Sequence, residues 1–209
     1  MKLPQTLRFD ELMPVAWQNG GGVTREVVRQ ENSGESPGWR VSIAELEKPG
    51  PFSVIAGVRR HFTVIGAHPV TLILPGKRTT LVPRQSVVFD GDAAVECLLP
   101  EGASRALNLM YNPQRWQARV AWLAKGERLK RRPGAETLLV AVGGAARMSS
   151  RPAHSLSCYD LWYWSGQDPL LVPVNAAYEA IKFETTPGTH LLSIDLVVKG
   201  GISRVIKGI

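Results

Sequence analysis

The sequence predicts an all-β chain built from a duplicated unit. Short strand-like runs bounded by Gly, Pro, Asn and Asp recur at intervals of about 8–12 residues. Long helical periodicity is scarce. Strand-and-turn patterns from the first half also return in the second at an offset of roughly 75 residues.

The runs can be followed in order. In "GWRVSIAEL", Trp39, Val41 and Ile43 alternate with Arg40, Ser42 and Ala44, the period of a strand. "RHFTVIGA", "VTLILPG" and "SVVFDGD" follow, each closed by turn residues, and then "VECLLPEG" and "RALNLMYN". "TVIGAHPVTLIL" has a counterpart in "LLVAVGGAARM", and "SVVFDGD" has one in "DLWYWSGQD", whose last residue is Asp168. The chain of 209 residues, 44% hydrophobic, can bury a core in one large domain or two small ones. A composition shift after Pro113 suggests residues 1–112 as a first unit, 113–134 as a basic connector and 135–209 as a second, with strands open to exchange between the halves.

The formal charge of +7 raises nucleic acid as a partner. Its distribution argues against this. Arg115, Arg119, Lys125, Arg128, Lys130, Arg131 and Arg132 face Glu127 alone, so this segment carries seven minus one, or +6, and reads as a solvated connector. No stretch of about 18 apolar residues suggests a membrane span. The start of the chain lacks an apolar signal-peptide core, so a cytoplasmic protein is expected. Cys97 and Cys158 are far apart and read as two buried thiols.

Familiar chemistry is hard to find. The triplet Gly20-Gly21-Gly22 in "WQNGGGVTREV" lacks the lysine of a phosphate loop and leads into Val23, Val27 and Val28, which favour strand. Arg25 stands where a dinucleotide loop needs its third glycine. The alternation instead requires either Thr24 with Glu26, or Arg25, to face the interior. His61, His68, His154 and His190 form no HxH or HxxxH pair, so neither a metal nor another cofactor is expected. What remains is polar residues on apolar strands: Arg25, Arg40, Ser42, Arg60, His61 and Asn108. A strand arginine entering a core must be paired. Two readings stay open: Arg25 and Arg40 pair with Glu26 or Glu45, or some of these groups converge on an anionic small molecule.

The series "WQNGGGVTREV", "WRVSIAEL", "GPFSVIAGVRR" and "LNLM", in this order, resembles the motifs of the HutD/Ves family over residues 15–112. The resemblance implies a bicupin: two RmlC-like cupin barrels in one chain, free of metal and without recognised catalysis. It implies a regulator of histidine utilization, or a stress-related protein, that binds a small carboxylate such as formylglutamate or urocanate. Thr24, Arg25, Arg40, Ser42, Arg60, His61 and Asn108 become candidate ligand contacts, with no catalytic residue assigned. Trp17, Asn19, Gly20, Gly21, Gly22, Trp39, Phe52 and Ser53 become structural motif positions. The chain departs from the family pattern at Ala106, at Arg59 and at Ile55-Ala56-Gly57, which suggests a more basic pocket. The alternatives are a cupin-type isomerase or lyase with His61 as acid or base, and a nucleic-acid-binding regulator using the connector. A homodimer is compatible with the sequence.

Overall fold

The computed structural model describes residues 4–30, 38–132, 134–149, 154–166 and 179–199. Apart from one short 3-10 turn, Phe9–Glu11, its regular elements are strands. In chain order they are β1 (Gln5–Leu7), β2 (Pro14–Ala16), β3 (Gly22–Gln30), β4 (Trp39–Leu46), β5 (Gly50–Pro51), β6 (Arg59–Val64), β7 (Val70–Leu74), β8 (Lys77–Leu81), β9 (Ser86–Asp90) and β10 (Glu96–Leu98). Then come β11 (Ser104–Tyr111), β12 (Trp116–Trp122), β13 (Leu129–Arg131), β14 (Glu136–Val142), β15 (Ala146–Met148), β16 (Ser155–Leu156), β17 (Leu161–Trp164), β18 (Glu179–Ile181), β19 (Phe183–Thr185) and β20 (His190–Val198). The chain is all-β, as its alternation predicts. Asp168, which closes one of the repeated patterns, lies outside the described residues.

The strands form two compact units, one spanning Glu11–Pro113 and the other running from Gln114 onward together with the residues through Asp10. In the first, a six-stranded sheet of order β2-β3-β4-β11-β6-β9 packs against a four-stranded sheet of order β5-β10-β7-β8. Ala44, Leu46, Phe62, Val64 and Ala106 from the larger sheet meet Val70, Leu72, Leu81, Val95 and Cys97. Burial pushes the Cys97 thiol up to about 12, so it is an apolar core group rather than a nucleophile. Cys158, expected to be buried, is only half-buried and accepts a bond from the Gly143 amide at 3.2 Å.

The second unit carries a five-stranded sheet of order β1-β17-β14-β20-β12. The exchange of strands left open on sequence occurs here, and one expectation changes. Strand β1, placed with the first half on sequence, pairs antiparallel with β17 through Gln5–Tyr163, Thr6–Trp162 and Leu7–Leu161. The segment 113–134, expected as a connector, holds β12 and β13, paired with β20 and β18. The misreading has a physical cause. Gln117, Arg119 and Lys130 point to solvent while Trp116 and Leu129 are buried, so charge on one face masks a strand anchored by the other.

The duplication shows in register as well as in strand order. The succession β4-β11-β6-β9 in the first unit matches β12-β20-β14-β17 in the second, and each set follows the same chain order. Gly91 abuts the backbone of Ile55 and Val58, and Gly166 abuts that of Gly134 and Ala135, where a Cβ would lie 2.4 Å and 2.6 Å from the nearest backbone atom. Aligned on these glycines, the cross-strand row Arg40–Met110–Arg60–Phe89 coincides with Arg119–Asp195–Thr137–Trp164.

The triple glycine is a tight turn into β3. The Gly20 amide donates to Trp17 O at 2.9 Å, and the Trp17 amide to Gly22 O at 2.9 Å. Gly20 has φ 66°, and a Cβ there would meet nothing within 4 Å. Gly22 is constrained by contact instead: its Cβ would lie 2.2 Å from Glu45 O on the neighbouring strand. Denaturant titration is therefore expected to find Gly22→Ala destabilising by about 2–4 kcal/mol, from forced displacement of packed backbone. Gly20→Ala should cost only about 1–2 kcal/mol, the left-handed backbone term alone.

Candidate functional site

Alternation on three neighbouring strands of the larger sheet builds one face of a cavity. Residues directly opposite in an antiparallel pair share a face. Arg40 and Ser42 on β4, Asn108 and Met110 on β11, and Arg60 on β6 therefore point the same way. They line a cavity of about 450 Å³, which is closed by Ala16, Trp17, Gln18, Asn19 and Thr24 on one side and by Pro51, Phe52, Ser53 and Ile55 on the other. All of these residues belong to the first unit.

The glycine turn holds its side of the rim. Gly21 O accepts from the amides of Glu47 and Lys48, both at 3.0 Å, which ties the turn to the end of β4. Asn19 Oδ1 accepts from the Gly21 amide at 3.0 Å, and Asn19 Nδ2 donates to Pro51 O at 3.4 Å, across to the other rim segment. The Trp17 indole donates to Thr24 Oγ1 at 2.7 Å, so Thr24 keeps its own proton for another acceptor. A bulge between Glu26 and Val28 then shifts the register of β3 against β4. Thr24 and Glu26 stay on the cavity face, opposite Ala44 and Ser42, and beyond the bulge Arg29 joins them opposite Arg40. Arg25 takes the other face.

Arg60 dominates the electrostatics. It is 4% exposed, between the rings of Phe52 and Phe89 at 5.2 Å and 5.6 Å. Its Nη2 donates to Ser53 O at 3.2 Å, while its Nε is buried with no partner. Among the described residues, no carboxylate lies within ion-pair reach of it. Burial, and then the charge of Arg40, pull its pKa down to about 10, so it remains a cation at neutral pH. Arg40 stands nearer the mouth, its Nη2 on Met110 Sδ at 3.2 Å and its Nη1 4.0 Å from Glu26 Oε2. Asn108 Oδ1 is buried and unpartnered.

Five of the seven candidate ligand contacts thus meet in one cavity: Thr24, Arg40, Ser42, Arg60 and Asn108. Arg25 and His61 do not. Arg25 donates from Nε to Glu45 Oε1 at 2.8 Å and from Nη1 to Leu12 O at 2.6 Å, which makes it a strut between strand and rim. His61 follows Arg60 on β6, so the strand period turns it to the opposite face, beside Thr63 Oγ1 at 3.3 Å from its Nδ1. Arg59 shares that outward face and lies 3.3 Å from Asp90, so this departure from the family pattern adds no charge to the cavity.

Of the structural motif positions, Trp17, Asn19, Phe52 and Ser53 line the cavity, whereas Trp39 is buried on the other face with its indole on Gln30 Oε1 at 2.6 Å. Ala16, Gln18, Pro51, Ile55 and Met110 also line the cavity and are not among the sequence-based candidates. Alternation from Asn108 gives a signal for Met110; the other four lie on irregular or very short rim segments without one. No group of three or more His, Cys, Asp and Glu residues among those described is placed to hold a metal ion.

Comparison with known proteins reaches the same family as the motifs. The HutD family model matches residues 10–181. The chain belongs to the HutD family. It is 36% identical over 172 residues to an uncharacterized 21.2 kDa protein from the hutC 3' region of Pseudomonas putida, covering 80% of this chain and 90% of that one. The protein Ves of Citrobacter koseri is 38% identical over 111 residues, 52% of this chain and 58% of its own. HutD from Pseudomonas fluorescens SBW25 superposes with a TM-score of 0.78 at 31% identity, over 94% of this chain and 99% of that one. A cupin 2 conserved barrel domain protein from Leptotrichia buccalis, at 10% identity, shares the fold, with a TM-score of 0.54 over 95% of this chain and 98% of its own. The HutD-family fold is therefore cupin-like.

The Arg25 strut gives a pH test. Burial pushes the Glu45 carboxyl up, but the hydrogen bonds and charges of Arg25 and Arg105 outweigh it and hold the group below its ordinary 4.5. A depressed carboxyl contributes stability above the unfolded value and loses it as pH falls through the folded one. Urea titrations of Glu45→Gln against the parent should show a stability gap at pH 6 to 7 that narrows below about pH 4.5. A gap independent of pH would contradict the strut.

Proposed function

We propose that this HutD-family chain is a metal-free regulator that binds a small anionic metabolite in the cavity of its first unit. In this reading the two units are the two cupin-like barrels of a bicupin, the protein is cytoplasmic, and the ligand is a carboxylate of histidine breakdown such as formylglutamate or urocanate. The observation that carries the reading is Arg60: a guanidinium 4% exposed, with an unpartnered Nε and, among the described residues, no carboxylate beside it. Burying a charge without a counter-ion is costly, and a bound carboxylate, planar and bidentate, relieves that cost. The aromatic walls and the polar groups of Thr24, Ser42 and Asn108 match the make-up of small-molecule sites, which are largely apolar with a few placed polar groups. The Pseudomonas putida relative, from a hutC 3' region, supports the histidine-utilization setting.

Isothermal titration with formylglutamate and urocanate tests this reading. At least one should bind, and Arg60→Ala should weaken it about ten- to a hundredfold, the equivalent of about 1.5–3 kcal/mol for a hydrogen bond to a charged group. His61→Ala should leave the affinity unchanged. Equal binding by the Arg60→Ala protein would contradict the assignment.

A further inference from the structure

In the first unit β4 is closed on both sides, by β11 and by β3, whereas its counterpart β12 in the second unit pairs with β20 alone among the described strands. The ladder shows which groups this leaves open. The Lys199 amide donates to Arg115 O at 2.7 Å and the Leu123 amide to Leu191 O at 2.9 Å, so the odd-numbered residues of β12 bond to β20. The N–H and C=O groups of Ala118 and Val120 therefore point away from β20, and among the described residues they have no backbone partner. Their counterparts in β4, Trp39 and Val41, face Gln30 and Val28 of β3. An edge that one unit covers with a strand of nine residues thus stays open in the other along a strand of seven.

The open edge is basic. Residues 113–126 contain Arg115, Arg119 and Lys125 and no acid. Arg119 is exposed in mid-strand, and among the described residues no carboxylate is in ion-pair contact with it. Asp195, opposite Arg119 on β20, accepts from Thr137 Oγ1 at 2.9 Å. In the first unit the covering strand brings a carboxylate of its own: Glu26 of β3 lies 4.0 Å from Arg40, the counterpart of Arg119. A second copy of β12 would bring only more positive charge to this edge, and like charges across a strand pair are unfavourable. The charge therefore favours a different chain.

We infer that the free edge of β12 takes an extended segment of a partner protein, added as an antiparallel strand, with an acidic residue facing Arg119 and apolar residues alternating with it beside Ala118 and Val120. Main-chain hydrogen bonds to Ala118 and Val120 supply the attachment, and the charge of Arg119 supplies the choice of partner. The site lies in the second unit and is independent of the cavity and its ligand.

Labelled peptides and hydrogen exchange test this together. The probes are end-blocked peptides of the length of β12, one alternating Glu with Val and one alternating Lys with Val. By fluorescence anisotropy at low ionic strength the Glu-Val peptide should bind about tenfold tighter or more, and Arg119→Glu should reverse the order. Charge attraction without strand pairing would give the same preference, so exchange measured by NMR supplies the second readout. In the free protein the Ala118 and Val120 amides should exchange about tenfold faster or more than those of Arg119 and Ala121, and saturating Glu-Val peptide should protect them. Val120→Pro removes one outward N–H, leaves the bonds to β20 in place and should weaken the peptide about tenfold. Equal binding of the two peptides, protection of both amides before any peptide is added, or binding that leaves them exchanging would overturn the inference. A dimer by sedimentation that Val120→Pro dissociates would overturn it too, by giving the edge to a second copy.

Discussion

The structure of the first unit is organised around one unbalanced charge. Arg60 sits on an inner strand, walled by Phe52 and Phe89, and among the described residues its hydrogen-bond acceptor is the backbone carbonyl of Ser53. Cation–π contacts offset part of its desolvation, on the order of 2 kcal/mol when buried, but they do not replace a counter-ion. The other arginines of the same sheet are treated differently. Arg25 and Arg105 share Glu45 at 2.8 Å and 3.1 Å, and Arg59 lies against Asp90. A chain that pairs its neighbouring arginines and leaves this one, deep in a cavity, concentrates electrostatic demand at one point. Perturbed, uncompensated groups of this kind mark functional sites.

Duplication supplies the frame, and divergence supplies the difference. Both units present the same four-strand succession and a corresponding cross-strand row of residues. One row reads Arg40–Met110–Arg60–Phe89 and the other Arg119–Asp195–Thr137–Trp164. In the second, burial raises the Asp195 carboxyl, and the Thr137 hydrogen bond and the charges of Arg132, Arg119 and Arg131 offset part of that rise. The HutD-family chain thus carries an internally compensated version of the row in one half and an uncompensated version in the other.

Much of this was legible in the sequence, and the failures share a cause. Period-two alternation grouped Arg40 with Ser42 and set Trp39 apart, and the structure keeps that division. Alternation says which residues share a face, not which face is the interior, so Arg25 and His61 were admitted beside Thr24 and Arg60 although neighbours in a strand cannot point the same way. The bulge at Val27, which brings Arg29 round to the face of Arg40, leaves no periodic signature. Phe52 and Ser53 follow a strand of two residues, where no pattern distinguishes a motif kept for shape from a wall of the cavity. Strand β1, three residues long, gives no sign of the sheet it joins, because pairing at that length depends on the partner.

The central claim is that Arg60 serves a ligand rather than the fold. Chemical denaturation of the ligand-free Arg60→Met protein tests this most directly. Replacing a buried, unpaired cation with an apolar side chain of similar length should leave unfolding free energy unchanged or raise it by about 1–2 kcal/mol, since desolvation is relieved and the contacts with Phe52 and Phe89 persist as packing. A loss of about 3 kcal/mol or more would show that the guanidinium holds the unit together, and would contradict the account.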